Sequence, residues 1–168
     1  MGLIFEEVAP NLYRGQRPNT FQEMQDRNVD YVFNLQSGFF EIFTNTVYER
    51  QLSSDFKVTE LNFPMSDWEI PDFVQVGKII ELIEHHRKTG RKVFVHCKWG
   101  KDRTGYVIAA WKMRYLGMKY EDAVKDMYSH GYHRFPYFYW VKSLKKFENT
   151  LDAPRIDLEP KINLEYRK

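Results

Sequence analysis

Val93-Phe94-Val95-His96 is a short apolar run that passes through a glycine-containing turn into Arg103–Leu116, a stretch with helical periodicity that stops at Gly117. No other segment limits the fold as strongly. A run this short and this apolar reads as a buried strand, and a strand that feeds a helix through a tight loop belongs to an α/β architecture. The loop between them also has a chemistry: where a loop enters a helix, several backbone N–H groups and the helix dipole converge on one spot, a ready site for an anion.

The periodicity extends the reading in both directions. Thr20 and Glu23 form a capping box for a short helix carrying Phe21 and Met24, and Val29–Leu35 reads as a strand. Phe56–Phe63 is a second alternating strand, ended by Pro64. Pro71 opens a helix with Phe73, Val76, Ile79, Ile80 and Ile83 on one face, Arg87 and Lys88 in its last turn and Gly90 beyond it. Two more helices are expected, Tyr120–Ser129 and Pro136 to about Leu151, the second with Phe138, Val141, Leu144 and Phe147 inward. The tail after Leu151 is expected to be extended.

At 168 residues the chain fits one domain, 1–168, since domains commonly run to about 100 to 200 residues. With 43% hydrophobic and 29% charged residues it reads as a soluble globular protein, and no apolar run approaches the roughly 18 residues of a membrane span. Glu6 and Glu7 replace the basic start of a secretory signal, which predicts a cytoplasmic protein unless a leader was removed. Glu6 also stands where a myristoylation motif after Gly2 wants Ser or Thr.

The net charge is only +2, but His85–Lys119 holds ten Lys or Arg against one acid. That segment carries +9 and the rest −7, so an anionic ligand fits there. Lys112, Arg114 and Lys119 read as a solvated helix face, which leaves Lys98, Lys101 and Arg103 to explain. The histidines lack metal-ligand spacing, so no metal or other cofactor is expected, and no nucleic-acid-binding module appears. His85 and His86 read as solvated. One cysteine, Cys97, excludes an intrachain disulfide, so any oxidised state would need a sulfenamide or an external thiol to resolve it.

The decisive segment is HCKWGKDRTG, residues 96–105. Cys97 sits at the loop entrance, where converging amides favour the thiolate, a nucleophile that needs no base. Arg103, six residues on, can reach back with a planar fork and hold two phosphate oxygens, which a lysine cannot. Gly100 lets the backbone curl toward the ligand and Gly105 lets the first helical turn pack closely. Thr104 can donate to the sulfur, and the His96 ring can orient the loop through its backbone.

These residues resemble the HC, five residues, Arg, Ser/Thr, Gly signature of the cysteine-dependent tyrosine and dual-specificity phosphatases. NLYRGQRPN (11–19) resembles the entry segment of the small dual-specificity enzymes, and VFNLQ (32–36) their early core strand. About two-thirds of the chain has a counterpart. The resemblance implies an α/β fold with a central, mostly parallel sheet of four or five strands flanked by helices. It also implies a general acid about thirty residues before the cysteine; Asp67 stands there, in FPMSDWEIPD between a strand and a helix. Asp72, following Pro71, competes for that role but suits a helix cap. Trp68 beside it reads either as a seal for the loop or as simple packing. The low-molecular-weight branch carries its loop near the N-terminus with the acid downstream, the reverse of this order.

Substrate choice follows less directly. Lys98 and Lys101 add charge inside the loop, with Trp99 and Asp102 beside them, and the pattern resembles phosphoinositide phosphatases and tyrosine-phosphatase-like phytases. An inositol phosphate or phosphoinositide is the substrate this resemblance implies, with a phosphotyrosine or phosphoserine protein as the alternative. A silent phospho-ligand-binding module is a third reading. His130, His133 and Arg134 form a possible second basic wall, as do Arg14 and Arg17; an ordinary polar loop between helices is the competing reading.

Overall fold

Val93, Val95 and Cys97 point to one face of the sheet and Phe94 and His96 to the other, the consequence of a side-chain period of two. That parity carries the sulfur to the face on which the long helices pack. The computed structural model describes residues 3–37 and 57–151. Five strands, β1 Phe5–Ala9, β2 Leu12–Gln16, β3 Tyr31–Asn34, β4 Thr59–Asn62 and β5 Val93–Cys97, form one sheet in the order β1-β2-β5-β3-β4. β1 and β2 make an antiparallel hairpin, and the other pairings are parallel. The helices are α1 Gln22–Asp26, α2 Phe73–Lys88, α3 Asp102–Leu116, α4 Tyr120–Ser129 and α5 Arg134–Leu151. The expected α/β architecture with a mostly parallel sheet is what the chain adopts.

β5 lies between two parallel neighbours, with Gln16 opposite Cys97 and both Gly15 and Asn34 opposite His96. The carboxyl ends of three strands therefore meet where β5 enters its loop, the end at which parallel sheets bind ligands. Leu12, Phe33, Val93 and Val95 pack under Ile79, Ile83, Ile108, Trp111 and Leu144 from the helices, each burial stabilising the fold by about 1.5–3 kcal/mol. On the opposite face Phe94 and Val32 pack against Met24, with Phe5 and Tyr13 beside them. Trp111 Nε1 donates to Glu84 Oε2 at 2.9 Å, and the Arg87 guanidinium, 2.6 Å from the same carboxylate, lies 4.9 Å over the indole. These contacts lock α2 to α3 and so fix the helix that begins at the loop.

Local signals carry most of the boundaries. Asp72 caps α2 by accepting from Val74 N and Gln75 N, each at 3.2 Å. Gly117 ends α3 in the left-handed region at φ 65°. The capping box is offset: Glu23 N donates to Thr20 Oγ1, but the Glu23 carboxylate accepts from Asn19 N. Other expectations change. The β1–β2 hairpin has no clear sequence signal, because FEEVA lacks clean alternation and Asn11, rather than glycine, takes φ 64° in the turn. Phe138 is 50% exposed rather than inward. The buried stripe of α5 runs through Trp140, Val141, Leu144 and Phe147, and a residue two before Trp140 lies roughly 200° round the helix. Lys112 is not solvated but bonds Asp126 at 2.7 Å between α3 and α4. His86 stacks on Tyr31 at 3.8 Å. Phe56 and the tail beyond Leu151 lie outside the described residues.

Candidate active site

The turn from β5 into α3 rests directly on β2. Gly100 has φ +70°, and a Cβ there would stand 2.4 Å from the carbonyl carbon and oxygen of Gly15 and 2.7 Å from Gln16 N. Glycine is required on both counts, the left-handed backbone and the contact. Arg17 N donates to Lys98 O at 3.2 Å, so β2 is tied to the loop at a second point. Cys97, only 3% exposed, belongs to the main core and also borders a cavity of about 210 Å³ shared with Asp67, Trp68, Lys98, Trp99 and Arg103. Asp102 and Tyr137 complete its lining.

Arg103, in the first turn of α3, is 4% exposed and projects into this cavity. Its Nη2 lies 3.0 Å from Asp67 Oδ1, and its Nη1 donates to Met65 O at 3.3 Å. The Asp67 segment is strapped in place. Ser66 Oγ accepts from Trp68 N and Glu69 N, each at 3.2 Å, the Tyr139 hydroxyl donates to Trp68 O at 2.7 Å, and Gln75 Nε2 donates to Pro64 O at 3.0 Å. A carboxylate thirty residues upstream is thereby delivered to the guanidinium, with the sulfur in the same cavity. Asp72 is spent on its helix cap.

The other residues named from the sequence divide. Lys98 borders the cavity with its Nζ 5.5 Å over the Trp99 ring, but Lys101 does not: its side chain runs along Gly131, where a Cβ would stand 3.3 Å from Lys101 Cε. Asp102 does not pair with Lys101; it accepts from His133 N at 2.8 Å and bonds His133 Nδ1 at 2.9 Å, so His133 braces the first residue of α3. His130 turns away to Glu6, at 2.7 Å, and forms no second wall. The Arg134 side chain lies outside the described residues. Thr104 Oγ1 is buried without a hydrogen-bond partner among the described residues, so the bond to the sulfur is not made. Gly105 is not crowded, since a Cβ there would meet Tyr132 and Arg14 at 3.7 and 3.8 Å, ordinary contact distances. Arg14 faces the underside of the loop rather than the cavity, its Nη2 donating to Gly100 O at 2.8 Å.

Residues 11–117, which span β2 through the end of α3, match the family described as "Polymorphic toxin system, DSP-PTPase phosphatase". The chain belongs to this family of cysteine-dependent phosphatases. This DSP-PTPase chain is 26% identical over 148 residues to the putative tyrosine phosphatase 123R of Invertebrate iridescent virus 6, covering 88% of the chain and 94% of the viral protein. It is 24% identical over 158 residues to the tyrosine-protein phosphatase vhp-1 of Caenorhabditis elegans, covering 86% of the chain and 21% of the nematode protein. The chain thus spans about a fifth of that relative's length. The crystal structure of PTPMT1 in complex with PI(5)P shares the fold, with a TM-score of 0.68 at 20% identity over 88% of this chain and 96% of that one. Among the described residues of the DSP-PTPase chain, no helix is long and apolar enough to cross a membrane.

His96 serves the loop from the other face of the strand. Its Nδ1–H donates to the Cys97 carbonyl at 3.1 Å, which fixes the tautomer, since that oxygen can only accept. Burial drives its pKa down from 6.5 to about 4, with Arg17 and Arg103 adding to the effect and the bond to Cys97 O opposing it. An unfolded chain takes up a proton at this histidine below pH 6.5 and the folded chain only near pH 4, so stability falls as pH drops through that window. Urea unfolding is expected to show about 2 kcal/mol less stability at pH 5 than at pH 7 from this residue. His96→Asn, which keeps an Nδ2–H donor, should flatten that slope.

Proposed function

We propose that this chain hydrolyses phosphomonoesters through a cysteinyl-phosphate intermediate, with Cys97 as nucleophile, Arg103 as phosphate clamp and Asp67 as general acid. The observation that carries the reading is the convergence of sulfur, guanidinium and carboxylate on one cavity at the carboxyl end of β5. The substrate phosphate takes over the Arg103 fork and displaces Asp67 from it, which leaves the carboxyl group beside the departing ester oxygen. The Cys97 thiolate attacks phosphorus, the P–O ester bond breaks, and the leaving oxygen takes the Asp67 proton. Water then attacks phosphorus and gives its proton to Asp67, and Cys97 leaves again as thiolate with release of inorganic phosphate. Charge neutralisation falls to Arg103 and the loop amides, so turnover is expected in EDTA. Asp67→Asn should lower kcat by about 10²- to 10⁴-fold, more for an alkyl phosphate than for p-nitrophenyl phosphate, whose leaving group hardly needs the proton. Equal losses on both esters would remove Asp67 from the role.

The lining favours an aryl phosphate of the phosphotyrosine kind. Trp68, Trp99 and Tyr137 offer flat faces at the mouth, and the first two are 73% and 60% exposed. A second reading, an inositol polyphosphate or phosphoinositide, draws on Lys98 at the cavity and on the PTPMT1 complex, but Lys101 does not supply the second charge. Comparing kcat/KM for a phosphotyrosine peptide, a phosphoinositide and phytate decides between them. Loss at Trp68→Ala confined to the peptide supports the first reading, and loss at Lys98→Ala confined to the inositol substrates supports the second.

A further inference from the structure

Arg14 stands in the middle of β2, opposite Val95 of β5 and Glu6 of β1, and is 3% exposed. A charge so deep is destabilising unless counter-charges bond to it. Among the described residues none does: Nη2 donates to the Gly100 carbonyl at 2.8 Å and Nη1 has no hydrogen-bond partner. The acids whose charges reach it are engaged elsewhere, Glu6 with His130 at 2.7 Å and Asp126 with Lys112 at 2.7 Å. Burial lowers the guanidinium's pKa, while Glu6, Asp126 and Cys97 act against that lowering.

The open side of this charge is the underside of the loop. Gly105 lies alongside it, where a Cβ would meet Nη2 at an ordinary contact distance of 3.8 Å. A peptide plane is rigid, with its C=O and N–H pointing in opposite directions. Drawing the Gly100 carbonyl toward β2 therefore turns the Lys101 N–H to the other side. We propose that Arg14 is a positioning residue for the phosphate loop, holding the Gly100 carbonyl to the strand side so that the Lys101 amide faces the bound anion, and acting on that anion with its own charge from beneath.

The inference rests on the loop being an anion cradle, so its test includes a measurement independent of turnover. The chain has one cysteine, so alkylation reports on Cys97 alone. Arg14→Met should lower the ratio of iodoacetate to iodoacetamide rates several-fold, because only the first reagent is an anion. Competitive inhibition by orthovanadate should weaken about tenfold, the effect of one charge-assisted hydrogen bond. Arg14→Lys, which keeps the charge, should restore most of the ratio. Arg14→Gln, which keeps a donor for the Gly100 carbonyl but not the charge, should recover part of the vanadate affinity and none of the ratio, and it stands in if Arg14→Met fails to fold. An unchanged ratio and unchanged vanadate affinity in a folded charge-free variant, or no rescue by lysine, overturns the proposal. If the wild-type chain neither turns over p-nitrophenyl phosphate nor binds vanadate, the phosphatase reading fails, and the alkylation ratio still reports whether Arg14 charges the loop.

Discussion

Cys97→Ser is expected to cut turnover of p-nitrophenyl phosphate in EDTA by about 10⁴-fold or more, close to complete loss, as for other nucleophile deletions. A serine hydroxyl at this position needs a base, and among the described residues none is held in place for it. With substrate bound, Asp67 is committed as the acid for the leaving oxygen, Asp102 is bonded to His133, and the His96 ring lies on the far face of β5 with Nδ1–H committed to the Cys97 carbonyl. Binding should survive, because Arg103 and the loop amides are untouched, so the serine variant should still retain vanadate. Trapping with a ³²P-labelled ester should label the wild-type chain at Cys97 and leave the variant unlabelled. Residual activity within tenfold of wild type, or label on another residue, would falsify the cysteinyl-phosphate mechanism.

The largest expected effect on stability belongs to Gly100→Ala. A Cβ in the left-handed region costs about 1–2 kcal/mol, and forcing it into the Gly15 carbonyl adds about 1–3 kcal/mol of overpacking. Neither the β2 backbone nor the Gly100 backbone can give way without opening the loop. Urea unfolding should therefore show a loss of about 2–5 kcal/mol, with kcat/KM falling at least about 100-fold because the amide ring is deformed. Gly90→Ala separates strain from contact. Gly90 also has positive φ, at +80°, but a Cβ there meets nothing within 4 Å, so only the conformational cost of about 1–2 kcal/mol applies and activity should be unchanged. Equal stability losses in the two variants would show that the loop does not rest on β2.

The chain declared its chemistry locally and its support only in three dimensions. Phosphate chemistry concentrates its demands in a few adjacent residues, so His96, Cys97, Gly100 and Arg103 stand within one turn of chain, and periodicity alone located α2, α3 and β5. Asp67 was singled out only through the family resemblance, which implies an acid about thirty residues before the cysteine, and the fold sets that carboxylate against Arg103. The offset strap at Tyr139 was not, because a hydroxyl that bonds a backbone carbonyl 71 residues away leaves no local signal. Lys98 and Lys101 look alike in the loop, yet only the fold sets one at the cavity and the other against Gly131.

Hydrophobic period and one ten-residue motif carried the α/β reading and pointed to the proposed nucleophile and its anion, because each of those depends on neighbours along the chain, while the mostly parallel sheet was what the family resemblance implied. Tertiary structure alone decided what holds the loop in shape: Arg14 and Gly15 on β2 meet it only because β2 and β5 pair in parallel, 86 residues apart at the Arg14 to Gly100 bond. Strand pairing sums many weak contacts over long separations, and no single residue type announces its partner.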